Sequence, residues 1–262
     1  MKDYYSANLY EEEFDDDMVS NVNDFVSDNT NKMIPELLEE IDPEKTMVLI
    51  NALAFEADWD SKFDASETFD NTFYNIDGSE STASFMCSEE YEFLDLDNAC
   101  GFMKDYKNEE FKFVAILPDE DIDFEDFLND LTGEEFIDAI ANPTDISVHT
   151  YLPKFECEYS AELNDVLSDM GIESAFDKKN ADFTNMTSDD REMYIDIVIH
   201  KTYIEVGEKG TKAAAATAVE MEDKGVAEYV EEFEVVRLDR PFIYAIVDSE
   251  TLSPVFIGMV TT

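Results

Sequence analysis

Residues 46–55 (TMVLINALAF) form a nearly continuous apolar run that limits the folds open to this chain. Such a run, without polar alternation, predicts a strand covered on both faces in the middle of a sheet. From residue 68 to residue 117, short runs rich in Phe and Tyr alternate with turn residues and predict further strands. Four more strands are predicted near the end of the chain, over residues 195–206, 233–238, 242–247 and 255–260.

Helices interrupt these strands. Apolar residues recur at helical spacing in residues 15–30, behind an Asp-rich first turn, and predict an amphipathic helix. Thr132 and Glu135 form the pattern of a capping box, and Ser160 is predicted to cap another helix that ends before Gly171. Helices mixed with antiparallel-looking strands, without a linker or an internal repeat, indicate one domain with an α+β fold.

The charge of the chain excludes several classes of function. There are 65 acidic residues against 17 Lys and Arg, for a net charge of -48. A surface of this kind repels nucleic acids and anionic membranes, so neither is expected as a partner. Hydrophobic residues still make up 44% of the chain, with 20 Phe and 12 Tyr, which favours a large folded core over disorder. We therefore expect a solvated acidic surface around that core.

No pattern of catalytic, metal-binding or cofactor-binding residues appears. Cys87, Cys100 and Cys157 have no CxxC spacing, so neither a disulfide framework nor a zinc site is predicted. The chain lacks HExxH, GxGxxG and a phosphate loop. His149 and His200 lie in strand-like runs without a GxSxG motif, so a Ser/His/Asp site has no support. We expect neither an enzyme nor a bound cofactor.

Four separated segments follow one another in the order known from a single protein family. They are NALAFEADWDSKF (51–63), LPKFECEYSAELNDVLSDMGI (152–172), IHKTYIEVGEKGTKAAAATAVEM (199–221) and RPFIYAIVDSETLSPVFIGMV (240–260). Together they make the chain resemble a serpin, a suicide inhibitor of serine proteases. The resemblance implies a single serpin-like domain over residues 1–262, with mixed β-sheets, surrounding helices and an exposed reactive loop near the C-terminus.

The third of these segments implies a hinge and reactive loop over residues 209–238. In the family, a protease cleaves the exposed loop, and the upstream arm then inserts into the main sheet and carries the ester-linked protease with it. Small side chains suit a segment that slides between packed strands, and alternation places Thr211 inward, so Thr211→Arg is expected to block insertion without unfolding the protein. An exposed Ala-rich helix is the alternative. The implied hinge residues are Glu208, Gly210, Thr211, Ala213, Ala214, Ala215 and Ala216.

The family's usual spacing from Glu208 places the reactive bond between Lys224 and Gly225. A Lys side chain suits a protease pocket with a carboxylate at its base, so the implied target is trypsin-like. The arm that follows is longer than is common in the family, so Met221 and Tyr229 are alternatives.

Two further groups of residues carry over from the family. Asn51 and His200 match the "shutter" pair on neighbouring strands, although a His in an apolar strand is more often a hydrogen-bonded core residue. Trp59, Lys154 and Glu208 match the "breach" at the top of the main sheet. A salt bridge between the last two is worth at most about 1 kcal/mol if it lies at the surface.

The resemblance lacks the family's N-terminal third. We therefore expect His200 to lack hydrogen-bond partners, at a cost of roughly 1–3 kcal/mol, and the rear of residues 46–55 to face water. A complementing N-terminal segment or self-association is expected to cover that face.

Two functions remain open at this stage, a protease inhibitor and a non-inhibitory remnant that acts as an acidic binding module. The small-residue hinge favours the inhibitor. The resemblance implies an extracellular location, but residues 1–10 lack the features of a signal peptide, which leaves a cytoplasmic location open.

Overall fold

The computed structural model describes residues 7–186, 192–211 and 233–262. The helices in this part are α1 (Asp16–Asn29), α2 (Phe124–Asp130), α3 (Gly133–Ala141) and α4 (Asn164–Asp169). The strands are β1 (Val48–Ala54), β2 (Ala57–Asp58), β3 (Phe69–Tyr74), β4 (Glu80–Leu96), β5 (Ala99–Asp105), β6 (Phe111–Pro118), β7 (Thr144–Pro153), β8 (Phe155–Glu162), β9 (Ile197–Gly207), β10 (Gly210–Thr211), β11 (Phe233–Arg237), β12 (Phe242–Asp248) and β13 (Pro254–Val260).

The chain divides into two compact units. The first holds Met1–Ala54 and Cys157–Tyr203, and the second holds Phe55–Glu156 and Ile204–Thr262. None of the helices that the structure describes is both long enough and apolar enough to cross a membrane.

In the first unit, β1 runs parallel to β9, from Val48 opposite Ile197 to Ala54 opposite Tyr203. The predicted strand is therefore present. The apolar run alone predicts that both its faces are covered, and this is wrong, whereas the exposed face expected from the family resemblance is present in the described residues. Leu49 is 38% exposed and Asn51 is exposed as well, because alternate side chains of a strand point to opposite faces and one face of β1 is open in the part of the chain described.

Helix α1 begins where the sequence predicts it. The side chain of Asp15 accepts a hydrogen bond from the backbone N–H of Met18 at 3.0 Å, and Asp16 and Asp17 complement the helix dipole in the first turn. Its buried residue is Val26.

The predicted helix start at Ser160 is wrong. Ser160 lies inside β8, which pairs with β9, and α4 begins only at Asn164 without a side-chain cap. The side chain of Asn164 instead accepts a hydrogen bond from the backbone N–H of Val198 at 2.8 Å and donates one to the carbonyl of Asp196 at 2.9 Å. Pairing with β9 thus extends the strand past the local cap signal.

The second unit contains an eight-stranded sheet in the order β11-β7-β4-β5-β6-β12-β13, with β3 paired to β4. Helices α2 and α3 pack their buried side chains, Phe124, Phe127, Phe136 and Ile140, on a core cluster formed by β4, β5, β6 and β12. The capping box at Thr132 and Glu135 is present at the start of α3. The strands predicted for the end of the chain are confirmed as β9, β11, β12 and β13.

Candidate functional site

The segment that begins the implied hinge is already a strand in the second unit. Gly210 and Thr211 form β10, which pairs in antiparallel fashion with the end of β9 and with β2. Gly210 has a φ of +151°, and a Cβ at this position would lie 2.1 Å from the carbonyl oxygen of Ala57. A glycine is therefore required for β10 to fit between its two neighbours.

Thr211 is fixed at this position by its side chain. It is fully buried, and its hydroxyl lies 2.7 Å from the hydroxyl of Tyr106, whose side chain is also fully buried. Burial raises the pKa of Tyr106 well above its ordinary value, so the phenol stays protonated. Because Thr211 is fully buried and bonded to Tyr106, an arginine at this position would have to displace packed side chains, which argues against the expectation that Thr211→Arg leaves the fold intact.

Trp59 contacts Tyr106 and the backbone of the residues just before Thr211. Its indole stacks on the ring of Tyr106 with the ring centroids 4.4 Å apart and the ring planes 14° apart. Its Nε1 donates to the carbonyl of Gly207 at 2.8 Å, and its backbone N–H donates to the carbonyl of Lys209 at 2.9 Å. We call this arrangement the Thr211 seat, defined by the side chains of Trp59 and Tyr106 and by the backbone of β2 and of the end of β9.

Glu208 and Lys154 form the salt bridge implied at the breach. The lysine Nζ lies 3.0 Å from one carboxylate oxygen of Glu208 and 3.1 Å from the other, with the two side chains 43% and 22% exposed. Partial burial opposes ionisation, but hydrogen bonds from the backbone N–H of Glu208 and from Lys154 keep the pKa of Glu208 below its ordinary value. The carboxylate of Glu208 therefore stays charged, and its salt bridge with Lys154 holds the turn before β10.

The structure brings the implied shutter residues to paired positions in the first unit. Asn51 of β1 lies directly opposite His200 of β9 in the parallel register. The Nδ1 atom of His200 is buried and has no hydrogen-bond partner among the residues described. An unpaired buried nitrogen lowers stability, as expected for this position from the sequence.

Several predicted site residues lie outside the part of the chain that the structure describes. They are the hinge residues Ala213, Ala214, Ala215 and Ala216, the reactive-bond residues Lys224 and Gly225, and the alternatives Met221 and Tyr229.

Sequence reasoning missed Tyr106. It follows β5 in a run, KDYKNEE, that carries no recognisable motif, and its partner Thr211 lies 105 positions further along the chain. A contact of that separation leaves no local pattern in the sequence.

In the described ranges, no group of three or more His, Cys, Asp or Glu side chains is placed to hold a metal ion.

The chain is similar in sequence to one protein family and to several of its members. The profile of the family described as "Serpin (serine protease inhibitor)" matches residues 1–262. A serpin-like protein of Thermococcus kodakarensis is 31% identical over 261 residues, which cover 98% of this chain and 60% of that protein. The leukocyte elastase inhibitor of Xenopus laevis is 33% identical over 276 residues, which cover 98% of this chain and 70% of that protein. The chain thus spans about 60% of the first of these relatives.

A solved structure gives a closer match. The thermophilic serpin tengpin in its native state has a TM-score of 0.91 and 41% identity, over 99% of this chain and 66% of tengpin. Tengpin in its latent state has a TM-score of 0.80 and 34% identity, over 100% of this chain and 69% of tengpin. The structure therefore resembles the native state more than the latent one.

Proposed function

Because this chain belongs to the serpin family, we propose that it inhibits a serine protease by acting as a suicide substrate. The observation that carries the proposal is β10, since Gly210 and Thr211 already lie as a strand between β2 and the end of β9. In the proposed mechanism, the arm that follows Thr211 extends this strand only after cleavage. The greater likeness to native than to latent tengpin supports a starting state in which the rest of the arm is still free to react.

The proposed reaction is an acyl transfer that does not reach completion. The serine hydroxyl of the protease attacks the carbonyl of Lys224, and an ester forms between that carbonyl carbon and the serine oxygen. The peptide bond to Gly225 breaks, and its nitrogen leaves with a proton as a new amino terminus. In an ordinary substrate, water then hydrolyses this ester. In the proposed mechanism, the arm inserts into the sheet before water attacks.

Insertion follows cleavage in the proposed mechanism. The arm continues β10 antiparallel to β9 and separates β1 from β9. Each residue inserted gains ladder hydrogen bonds worth about 1 kcal/mol net, together with burial of small apolar side chains. The ester-linked protease is carried along, and distortion of its catalytic site stops hydrolysis of the ester.

The proposed target is a trypsin-like protease, and the proposed location is extracellular. A lysine before the reactive bond suits a pocket with a carboxylate at its base. The proposed activity is inhibition and requires no catalytic residue in this chain.

Incubation with trypsin followed by denaturing gel electrophoresis tests the proposal. We expect a covalent band at the mass of trypsin plus residues 1–224, because the part of the chain after the cut separates in denaturant. Lys224→Glu should abolish this band because the trypsin pocket rejects an acidic side chain. Mass spectrometry of the C-terminal fragment, separated in denaturant, then distinguishes Gly225 as its first residue from a start after Met221 or Tyr229. Cleaved chain without a covalent band would contradict inhibition.

A pair of substitutions in the arm tests insertion. Alternation from the inward Thr211 predicts that residue 213 faces the interior of the inserted strand and that residue 214 faces outward. We expect Ala213→Arg to convert the protein into a cleaved substrate, and Ala214→Arg, which adds the same charge, to retain the covalent band. Equal behaviour of the two variants would contradict strand insertion.

A groove in the first unit favours a second candidate, a non-inhibitory acidic binding module. It has a volume of about 610 Å³, and its lining includes Glu39, Glu40, Asp42 and Glu162. This candidate predicts cleavage by trypsin without a covalent band, so the same gel separates the two functions.

A further inference from the structure

Lys104 of β5 is a buried lysine whose ammonium group contacts the aromatic rings of Trp59 and Phe63. Its side chain is 2% exposed, and its Nζ lies 2.5 Å from a carboxylate oxygen of Glu90 on β4. The same ammonium group lies over the ring of Phe63, 4.6 Å from the centroid, and over the ring of Trp59, 5.7 Å from the centroid. A desolvated ammonium over an indole face is a strong form of the cation–π interaction.

The partner of Lys104 is itself held in place. The side chain of Glu90 is 13% exposed, and the oxygen that contacts Lys104 also accepts a hydrogen bond from the hydroxyl of Ser88 at 2.6 Å. The hydroxyl of Ser88 lies 2.8 Å from that of Thr150 on β7. A buried charge with a full set of partners has a fixed position, whereas a buried charge that loses its partner draws in water or shifts.

Lys112, on the neighbouring strand β6, provides a comparison within the same sheet. It forms ion pairs with Glu92 at 2.6 Å and with Asp105 at 3.1 Å, but its side chain is 19% exposed. Its ammonium group makes no cation–π contact with the aromatic rings of the described residues. The two lysines therefore differ in what their charge touches besides a carboxylate.

We infer that Lys104 and Glu90 are positioning residues for the Thr211 seat. The ammonium of Lys104, fixed by Glu90, holds the indole of Trp59 against Tyr106, and this stack keeps the Tyr106 hydroxyl on the hydroxyl of Thr211. The contacts form one continuous series, from the ion pair to Thr211, the residue after which the arm begins.

The consequence for inhibition rests on the proposed function. If insertion proceeds from Thr211, a loosened seat delays it, because the first strand residue must be reordered before the next can add. The protease then has more time to hydrolyse the ester. Loss of the Lys104 charge should therefore increase the share of chain that is cleaved without forming a covalent complex.

The test compares Lys104→Met with Lys112→Met in the full 262-residue protein, by amide hydrogen exchange. We expect Gly210 and Thr211 to exchange about tenfold faster in Lys104→Met, equivalent to about 1.4 kcal/mol. The core amides of Ala115 and Ala245 serve as a reference for global opening. Lys112→Met should leave Gly210 and Thr211 unchanged relative to that reference, and Lys104→Arg, which keeps a cation, should restore slow exchange.

Trp59 provides a second measurement, since it is the one tryptophan of the sequence. Its fluorescence should shift to longer wavelength in Lys104→Met and stay unchanged in Lys112→Met. If exchange at Thr211 rises no more than at Ala115 and Ala245, Lys104 contributes only to global stability and the inference is wrong.

The trypsin assay separates this inference from the proposed function. Where the unmodified protein forms the covalent band, Lys104→Met should raise the ratio of cleaved to complexed chain several-fold; an unchanged ratio would overturn the link to inhibition. Where the unmodified protein forms no covalent band, the proposed function fails, and the exchange comparison alone still decides whether Lys104 positions the seat.

Discussion

At the scale of single residues, the side chain of Asp196 shows how one carboxylate holds a neighbouring strand in the first unit. It accepts hydrogen bonds from the backbone N–H groups of Thr46 and Met47, at 2.5 Å and 3.0 Å, and from the hydroxyl of Thr46 at 2.9 Å. Partial burial opposes ionisation, but the two backbone donors keep the pKa of Asp196 below its ordinary value. The carboxylate thus fixes the segment that leads into β1.

Replacement of this carboxylate should have a pH-dependent cost. We expect Asp196→Asn to lower the free energy of unfolding at pH 7 by about 1 kcal/mol, after allowance for solvent screening. A carboxyl group with a lowered pKa in the folded state stabilises the protein above its unfolded pKa, and this stabilisation is lost as the pH falls through the folded pKa. The difference between the two proteins should therefore shrink in acid, as measured by urea unfolding at several pH values.

Asp42→Asn is the control for that measurement. It removes the same charge from the same unit, but Asp42 is exposed and its carboxylate accepts a hydrogen bond from the N–H of Glu44 within its own turn. Equal losses in the two variants, or a loss at Asp196 that persists in acid, would contradict the assignment.

At the scale of helices and strands, local patterns predicted those elements whose signals lie within a few residues. The capping box of α3, the helix α1 behind its Asp-rich first turn and the strands within residues 68–117 follow from spacing and composition. The start of α4 was misplaced because pairing of β8 with β9, a contact between distant residues, overrides the signal at Ser160. The same limit applies to the site. Trp59 and Thr211 were found by resemblance, but Tyr106 and Lys104 were not, because their roles depend on partners from other strands.

The close approach of β5 to β6 makes a glycine necessary in the sheet. A Cβ on Gly101 would lie 2.1 Å from the backbone oxygen of Ala115, whereas a Cβ on Gly133, in the first turn of α3, meets nothing within 4 Å. We expect Gly101→Ala to lower the free energy of unfolding by about 3 kcal/mol through backbone strain, and Gly133→Ala to change it little or raise it by about 0.5 kcal/mol. Thermal unfolding of both variants checks this, and equal stability would contradict the described register of β5 and β6.

At the scale of the whole molecule, the most prominent feature is the excess of negative charge. With 65 acidic residues and 17 Lys and Arg, most carboxylates have no basic residue available as a partner. Their mutual repulsion disfavours the folded state, in which they lie closer together than in the unfolded chain.

Salt should therefore stabilise this protein. The Debye length falls from about 10 Å at 0.1 M to about 3 Å at 1 M salt, which screens the repulsion between surface carboxylates. We expect NaCl over this range to raise the free energy of unfolding by about 2 kcal/mol, or Tm by roughly 4–8 °C. Sucrose at matched osmolality controls for general solute effects; a Tm that is constant or falls with NaCl, or that rises equally with sucrose, would contradict the role of charge.

The pairing of the last three strands determines whether the two pieces of the cleaved protein stay together. Strand β11 pairs with β7, and β12 lies between β6 and β13, so the polypeptide after residue 232 is built into the eight-stranded sheet of the second unit. A cut upstream of β11 therefore severs the covalent chain but leaves its two pieces bound to each other. The nicked protein should elute from a sizing column as a single species and separate into two fragments only in denaturant.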